Sequence, residues 1–455
     1  MFTKVLVANR GEIAIRVMRT LDRMGIATVA VHSDVEAEAA HVVAAGEAVA
    51  IGPAPVAQSY LDIDAIIAAA KTTGAEAIHP GYGLLSENPK FVDAVEAAGL
   101  VFIGPSADAM RKMGSKISAR AVMQAAGVPV VPGVVEPVAD VDAARPLAAE
   151  IGYPVAVKAS GAGGGKGFRV ARSEDELQAA FDGASGEGER FFGDPTVYLE
   201  RYLEDPRHVE VQILADDQGA VVHLGERDCS IQRRHQKLIE ESPAPAVDEA
   251  LRAHIGQVAI DAAQAVEYRS AGTVEGLLDG DDYYFLEMNT RIQVEHCVTE
   301  MVTGVDIVEE QVRIAAGEPL RLTQDDVTIT GHAIECRINS ENAAKRFLPA
   351  PGHIDAYVEP TGEHVRVDSG VREGDDVLPF YDPMLAKLVV WGEDREAATA
   401  RMLEALAEYR IEGITTLLPF HRSLLATDQW AKAETCRDLT EDPAWLKSTA
   451  PAPVA

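Results

Sequence analysis

The densest group of side chains able to do chemistry lies at residues 273–296, TVEGLLDGDDYYFLEMNTRIQVEH. Two apolar stretches, TVEGLL and YYFLEMN, flank DGDD, which reads as a β-hairpin. The two-residue period of a strand puts Glu287 and Asn289 on one face, and pairing across the hairpin brings Glu275 alongside. Acidic side chains pointing inward from apolar strands are costly unless neutralised. Two carboxylates and a carboxamide are hard oxygen donors, suited to Mg²⁺ or Mn²⁺ that also binds substrate phosphates. A merely exposed hairpin face would mix Lys or Thr among the acids. Arg291, Gln293, Glu295 and His296 follow directly. An arginine beside a base can hold and polarise a small planar anion while Glu295 removes its proton.

Two further stretches point to anions. Residues 161–167, GAGGGKG, hold five glycines in seven positions, so backbone N–H groups can wrap a phosphate without Cβ interference. Lys158 and Lys166 would add point charges. A flexible surface loop is the competing reading, and the spacing does not match a Walker A loop. Residues 225–237, GERDCSIQRRHQK, gather Arg227, Arg233, Arg234, His235 and Lys237. A solvated charged face is the usual origin of such a cluster, but its sign opposes that of the chain as a whole, which favours a polyanion such as a triphosphate. His79 and His332, known only by their spacing, read as packed or capping histidines.

These groups need a scaffold, and the rest of the chain supplies one. Its 455 residues are 47% hydrophobic and 25% charged, the composition of a globular protein with a developed core. Lys and Arg total 41 against 72 Asp and Glu, a net charge of −31, which makes nucleic acid and anionic membrane poor partners. Four widely spaced cysteines without a Cys-x-x-Cys pair fit a reducing cytoplasm. No stretch approaches the roughly 20 apolar residues of a membrane span, and the N-terminal apolar run is too short for a secretory signal. A soluble cytoplasmic protein is expected.

Residues 4–110 alternate strand and helix, which implies a parallel sheet covered on both faces. The turn after the first strand, ANRGEIA, lacks Gly-x-Gly-x-x-Gly, so a dinucleotide-binding domain is disfavoured although the topology is Rossmann-like. Further on, the spacing predicts a strand at PVAVKAS, a helix around 173–181, a loop at 182–193 and interleaved strands from Val197 to Met301. A third part mixes strands with one clear helix at 394–408, and the Ala/Pro-rich end reads as a linker or disordered tail.

Taken together, the motifs resemble the biotin carboxylases, members of the ATP-grasp superfamily, as found in acetyl-CoA, acyl-CoA and pyruvate carboxylases. The likeness rests on ANRGEIA at 8–14, AIHPGYGLLSEN at 77–88, IGPS at 103–106, Met113-Gly114-Ser115-Lys116 and the glycine loop. It extends through PRHVEVQ at 206–212, ERDCSIQRRHQK, EMNTRIQVEH, ECRIN at 335–339 and FLPAPG at 347–352. It implies a mixed α/β and α+β fold. Residues 1–112 would form an N-terminal parallel-sheet domain and 113–330 an ATP-grasp domain with its lid at about 131–203. Residues 331–446 would form a C-terminal α+β domain, leaving 447–455 as the tail.

By that resemblance Lys116, Lys158 and Gly163, Gly164 and Gly165 would contact ATP phosphates. Glu200, Leu203, His208, Gln232, His235 and Leu277 would line the nucleotide site. Glu275, Glu287 and Asn289 would hold Mg²⁺ or Mn²⁺, while Arg291, Gln293 and Val294 would receive bicarbonate. Glu295 would be the base, Lys237 would hold carboxyphosphate, and Arg337 would steady the biotin enolate, with Tyr82 also at the biotin. The implied activity is ATP-dependent carboxylation of biotin by bicarbonate, the first half-reaction of a carboxylase such as that of fatty acid synthesis. The implied partners are a biotin carboxyl carrier, carboxyltransferase subunits and a second copy in a homodimer. Ala162, Phe168 and Cys297 depart from the family pattern. An ATP-grasp ligase for another carboxylate would not need Arg337 or RIQVEH, and a non-catalytic nucleotide-binding subunit would not need Glu295.

Overall fold

The computed structural model describes residues 1–450 apart from Ser115, Val135, Gly164 and Gly165, and does not cover the side chains of Lys116, Ile117, Phe192 and residues 160–166. The N-terminal strands β1 (Lys4–Val7), β2 (Ala27–His32), β3 (Glu47–Ala50), β4 (Ala77–His79) and β5 (Val101–Phe102) form one sheet in the order β3-β2-β1-β4-β5. All four pairings are parallel. This is the sheet expected from the strand–helix alternation. The helix Gly11–Arg23 turns Ile13, Val17 and Leu21 inward, and Gly25 follows at φ +72° to reverse the chain into β2.

A smaller sheet holds β6 (Val155–Gly163), β7 (Lys166–Ala171) and β8 (Val197–Arg201) in the order β7-β6-β8. It buries Val155, Val157, Leu177, Ala184 and Leu199 in a core of its own. The expected loop at 182–193 is instead helix: Glu174–Phe192 is one continuous element. Two of its glycines permit close packing. A Cβ on Gly188 would stand 2.5 Å from the carbonyl of Asp194 and 3.0 Å from Ala159, and one on Gly183 would press on Arg169. Contact with the sheet outweighs the roughly 1 kcal/mol helix cost of each glycine.

The central element is an eight-stranded antiparallel sheet. It runs β13 (Asp282–Asn289), β12 (Ser270–Asp279), β9 (Arg207–Ala215), β10 (Val221–Arg233), β11 (Gln236–Ser242) and β14 (His332–Asn339), then the strands Met384–Gly392 and Val365–Ser369. It crosses residue 330, so the second and third parts of the chain share one sheet. The helix expected at 394–408 is Arg395–Glu408, but Leu418–Leu425, Arg437–Glu441 and Pro443–Ser448 are helical too. They are too short for periodicity to reveal, and packing holds them. The last one occupies the start of the expected tail, because Asp442 caps it and Leu446 is buried. Residues 451–455 lie outside the described residues. Among the described residues no helix is long and apolar enough to cross a membrane.

Candidate functional site

One cleft of about 1530 Å³ opens between the three sheets. Its base is the hairpin foreseen at 273–289. Asp279 pairs with Asp282 around a two-residue turn that starts at Gly280, φ +63°. The register sets Glu275 opposite Glu287 and Thr273 opposite Asn289, so the three oxygen-donor side chains share a face as alternation requires. Glu275 and Asn289 are buried and Glu287 is half-buried.

Lys237 is the centre of the charge arrangement. Its ammonium donates to Glu275 Oε1 at 2.8 Å, to Glu295 Oε1 at 2.6 Å and to Glu210. Burial would lower the Lys237 pKa, but the three carboxylates raise it well above the ordinary lysine value. Burial would likewise raise that of Glu295, and Lys237, Arg337 and Arg227 outweigh it, holding this carboxyl far below the usual range. Glu295 has no exposed surface and lies beneath the cleft lining. Arg337 donates to Glu295 Oε2 at 2.9 Å and, through Nε, to Glu240.

Arg291 is fixed on every side. It donates to Glu87 at 3.0 Å, to Asn289 at 3.0 Å, to Gln293 at 3.0 Å and to the carbonyl of Ile292 at 3.2 Å. Gln293 and Asn289 each donate to Glu275 Oε1 at 2.7 Å. His208 shares 2.8 Å with Glu275 through Nε2 and meets Gln232 through Nδ1. Burial opposes a charged His208, yet Glu275 raises its pKa above the ordinary histidine value.

The cleft wall opposite is less polar. Phe168, Leu203 and Leu277 line it, with Phe168 and Tyr202 tilted ring to ring at 6.3 Å. Lys158 pairs with Glu200 there and lies 5.5 Å over the Phe168 ring. At the rim, Arg234 and His235 connect β10 to β11 at φ +50° and +65°. Two successive left-handed residues, neither of them Gly or Asn, cost about 1–2 kcal/mol each. Such strain clusters at functional sites, and both residues line the cleft.

The structure therefore brings together on one cleft Tyr82, Lys158, Glu200, Leu203, His208, Gln232, His235, Lys237, Leu277, Arg291, Gln293, Val294 and Arg337, with the three hairpin oxygen donors. The Lys116 side chain, Gly164 and Gly165 lie outside the described residues, so the phosphate contacts expected of them do too; Gly163 ends β6 opposite Lys166. The basic cluster at 225–237 divides. Arg227 does not face a polyanion: it is wholly buried, bonded to Glu210, Gln212, Thr273 and Thr299. Arg233 stacks 4.6 Å from the Phe347 ring. His79 and His332 are packed as expected, the former bonded to Gly81 N and the latter to Glu241.

Sequence reasoning missed Glu87, Glu210 and Glu240, each the partner of a cation in the site. For Glu210 a signal existed: His208, Glu210 and Gln212 alternate along a strand of Val and Ile, so three polar groups share one face of β9. Glu87 and Glu240 carry no such pattern, since their partners come from distant segments.

Known proteins resemble this chain over nearly its whole length. Family models for the biotin carboxylase N-terminal domain and C-terminal domain match residues 1–110 and 335–441, and the carbamoyl-phosphate synthase L chain ATP binding domain matches 115–323. Biotin carboxylase 1 of Bacillus subtilis is 52% identical over 436 residues, covering 95% of this chain and 97% of its own. A biotin carboxylase of Campylobacter jejuni, solved as a β,γ-ATP complex, superposes with a TM-score of 0.90 at 48% identity, covering 96% of this chain and 98% of that one. The biotin carboxylase domain dimer of the 2-oxoglutarate carboxylase of Hydrogenobacter thermophilus, solved with MgADP, ADP and bicarbonate, gives 0.90 at 46%, covering 98% and 99%.

Proposed function

This chain belongs to the biotin carboxylase family, and from that premise we propose how its cleft divides the work of ATP-dependent biotin carboxylation. The reaction joins bicarbonate to biotin at the expense of ATP and yields N1-carboxybiotin, ADP and phosphate. The observation that carries the assignment of roles is the buried chain of contacts Glu275–Lys237–Glu295–Arg337, which links the oxygen-donor hairpin to a base and to an arginine open to the cleft.

The apolar wall of Phe168, Leu203 and Leu277 takes the adenine, beside Glu200, with His208, Gln232 and His235 toward the phosphates. Lys158 leaves Glu200 for the triphosphate, joined by Lys116 and the amides of Gly163, Gly164 and Gly165. Glu275, Glu287 and Asn289 fit a hard divalent cation: they are oxygen donors on one face, and Glu275 already draws four hydrogen-bond donors. Bound there, Mg²⁺ or Mn²⁺ supplies charge neutralisation for the phosphates.

Arg291, with Gln293 and Val294, receives bicarbonate, and Glu295 takes its proton. A base held between two cations is weak, because catalytic basicity is best near the working pH. When the substrate anions draw Lys237 and Arg337 toward themselves, that restraint on Glu295 relaxes. The deprotonated bicarbonate attacks the γ-phosphate to give carboxyphosphate, which Lys237 holds. Carboxyphosphate separates into CO₂ and phosphate, the phosphate removes the N1 proton of biotin, and Arg337 stabilises the enolate that captures CO₂. Tyr82 borders the biotin, its hydroxyl fixed on Glu12.

A biotin carboxyl carrier presents the biotin, carboxyltransferase subunits use the product, and the working form is a cytoplasmic homodimer. Support comes from the four cysteines without a Cys-x-x-Cys pair, which fit a reducing cytoplasm, and from the dimer form of the Hydrogenobacter domain. The test is bicarbonate-dependent ATP hydrolysis stimulated by free biotin. Glu287→Gln should abolish it with ADP binding retained, and near-normal turnover at saturating Mg²⁺ would sink the hairpin's role.

A further inference from the structure

Behind Arg337 two carboxyl groups stand that none of the steps above uses. Glu240 on β11 and Glu335 on β14 are direct partners across the antiparallel ladder, so their side chains lie on one face. Both are 0% exposed. Glu240 accepts from Arg337 through Oε1, while its Oε2 and both oxygens of Glu335 have no hydrogen-bond partner among the described residues. A buried ionised carboxylate without a donor is prohibitively costly, whereas a protonated one is not.

The surroundings offer Glu335 little charge. Lys387, on the neighbouring strand, is taken by the carbonyl of Val294 at 2.9 Å and by Glu12 at 3.2 Å. Lys237 is shared among three carboxylates and Arg337 between two. The groups acting on the pair are Arg337, Glu295, Lys237 and Lys387, with Cys229, Cys297 and Cys336 as buried thiols beside them. Burial first, then Glu240 and Glu295, push Glu335 well above the ordinary carboxyl range against Lys387 and Arg337. Glu240 is raised to about 7, by burial against Arg337.

We infer that Glu240 and Glu335 act as a single carboxyl pair sharing one proton, and that this pair is the positioning element that aims the Arg337 guanidinium into the cleft. The acid of Glu335 donates toward the free Oε2 of Glu240. The pair then carries one negative charge against one arginine. That single charge holds Arg337 Nε from behind and leaves its other nitrogens for Glu295 and the substrate. A second charge on the pair would pull the guanidinium back from the cleft; none would release it. The inference rests on the reading of Arg337 as the biotin-facing arginine.

The test compares Glu240→Gln, Glu335→Gln and Arg337→Ala by kcat and KM with free biotin, with ADP binding by calorimetry as the check on folding. Glu240→Gln should lower kcat roughly 10–10²-fold, the scale of a misplaced catalytic group, without moving ADP affinity. Glu335→Gln, which replaces a neutral acid by a neutral amide of the same shape, should stay close to the parent. Infrared difference spectra at neutral pH should show a protonated-carboxyl band in the parent that Glu335→Gln removes. A fall in Glu335→Gln equal to that of Glu240→Gln, or spectra without that band, would overturn the shared proton. An undiminished kcat in Glu240→Gln would overturn the positioning role. If Glu240→Gln loses ADP binding, Glu240→Asp decides: a lowered kcat with ADP bound supports the role and an unchanged one overturns it. Biotin-dependent turnover surviving in Arg337→Ala removes the underlying reading of Arg337, whatever the pair does.

Discussion

Lys237 and Lys158 face the same cleft from opposite sides, and their settings differ. Lys237 stands on the eight-stranded sheet with 10% of its side chain exposed and three carboxylates around it. Lys158 stands on the three-stranded sheet with 31% exposed and a single carboxylate, Glu200. The first sheet is bound into cores on both of its faces, whereas the second has a core of its own. Charges on the large sheet are thus fixed before substrate arrives, in a setting where pairing is obligatory. The charge on the small sheet is partly solvated and paired with one described carboxylate, which leaves it the freer of the two to change partner. A site for triphosphate and bicarbonate needs both: a preorganised centre where charge develops, and an arm that engages once the nucleotide is present.

The largest effect should follow loss of the base. Glu295→Ala should cost roughly 10²–10⁴-fold in rate, the range for general base catalysis, with ATP affinity by calorimetry unchanged. A large fall in affinity would move Glu295 into the nucleotide half and break the contrast. Next, Lys237→Met leaves Glu210, Glu275 and Glu295 buried without their common cation, and denaturant melts should show about 3–5 kcal/mol of lost stability. A loss as small as that of a surface pair would show the centre to be more hydrated than its burial indicates.

Acid titration sharpens the same point. The carboxyl of Glu295 is depressed in the folded state below its ordinary 4.5. Its stabilising contribution is therefore complete above the unfolded value and disappears as pH falls beneath it. Stability measured from pH 5 downward should decline less steeply in Glu295→Gln than in the parent; parallel curves would contradict the pairing. The smallest effect belongs to the arm. Lys158→Gln should change folding stability by no more than about 1 kcal/mol, as for an accessible ion pair, while raising the KM for ATP. A loss near that of Lys237→Met would make the two lysines equivalent.

The sequence determined the local half of this arrangement. The hairpin at 273–289, its turn and the common face of Glu275, Glu287 and Asn289 follow from a two-residue period and Gly280, because strand pairing across a tight turn is a short-range matter. The parallel N-terminal sheet is equally legible from its alternation of strands and helices. The family likeness rests on contiguous motifs such as RIQVEH and QRRHQK. Which charge meets which depends on the tertiary fold alone. Arg227 read as a ligand for anions, yet the ladder between β9 and β10 sets it beside Glu210 in the interior. Glu87, from a loop after β4, fixes Arg291, and Glu240 reaches Arg337 only because β11 and β14 are neighbours. Gly183 and Gly188 sit within a helix because Arg169, Ala159 and the Asp194 carbonyl pack against them where a larger residue would collide. Coulomb pairing and close packing act through space between residues far apart in sequence, so no pattern within a segment encodes them.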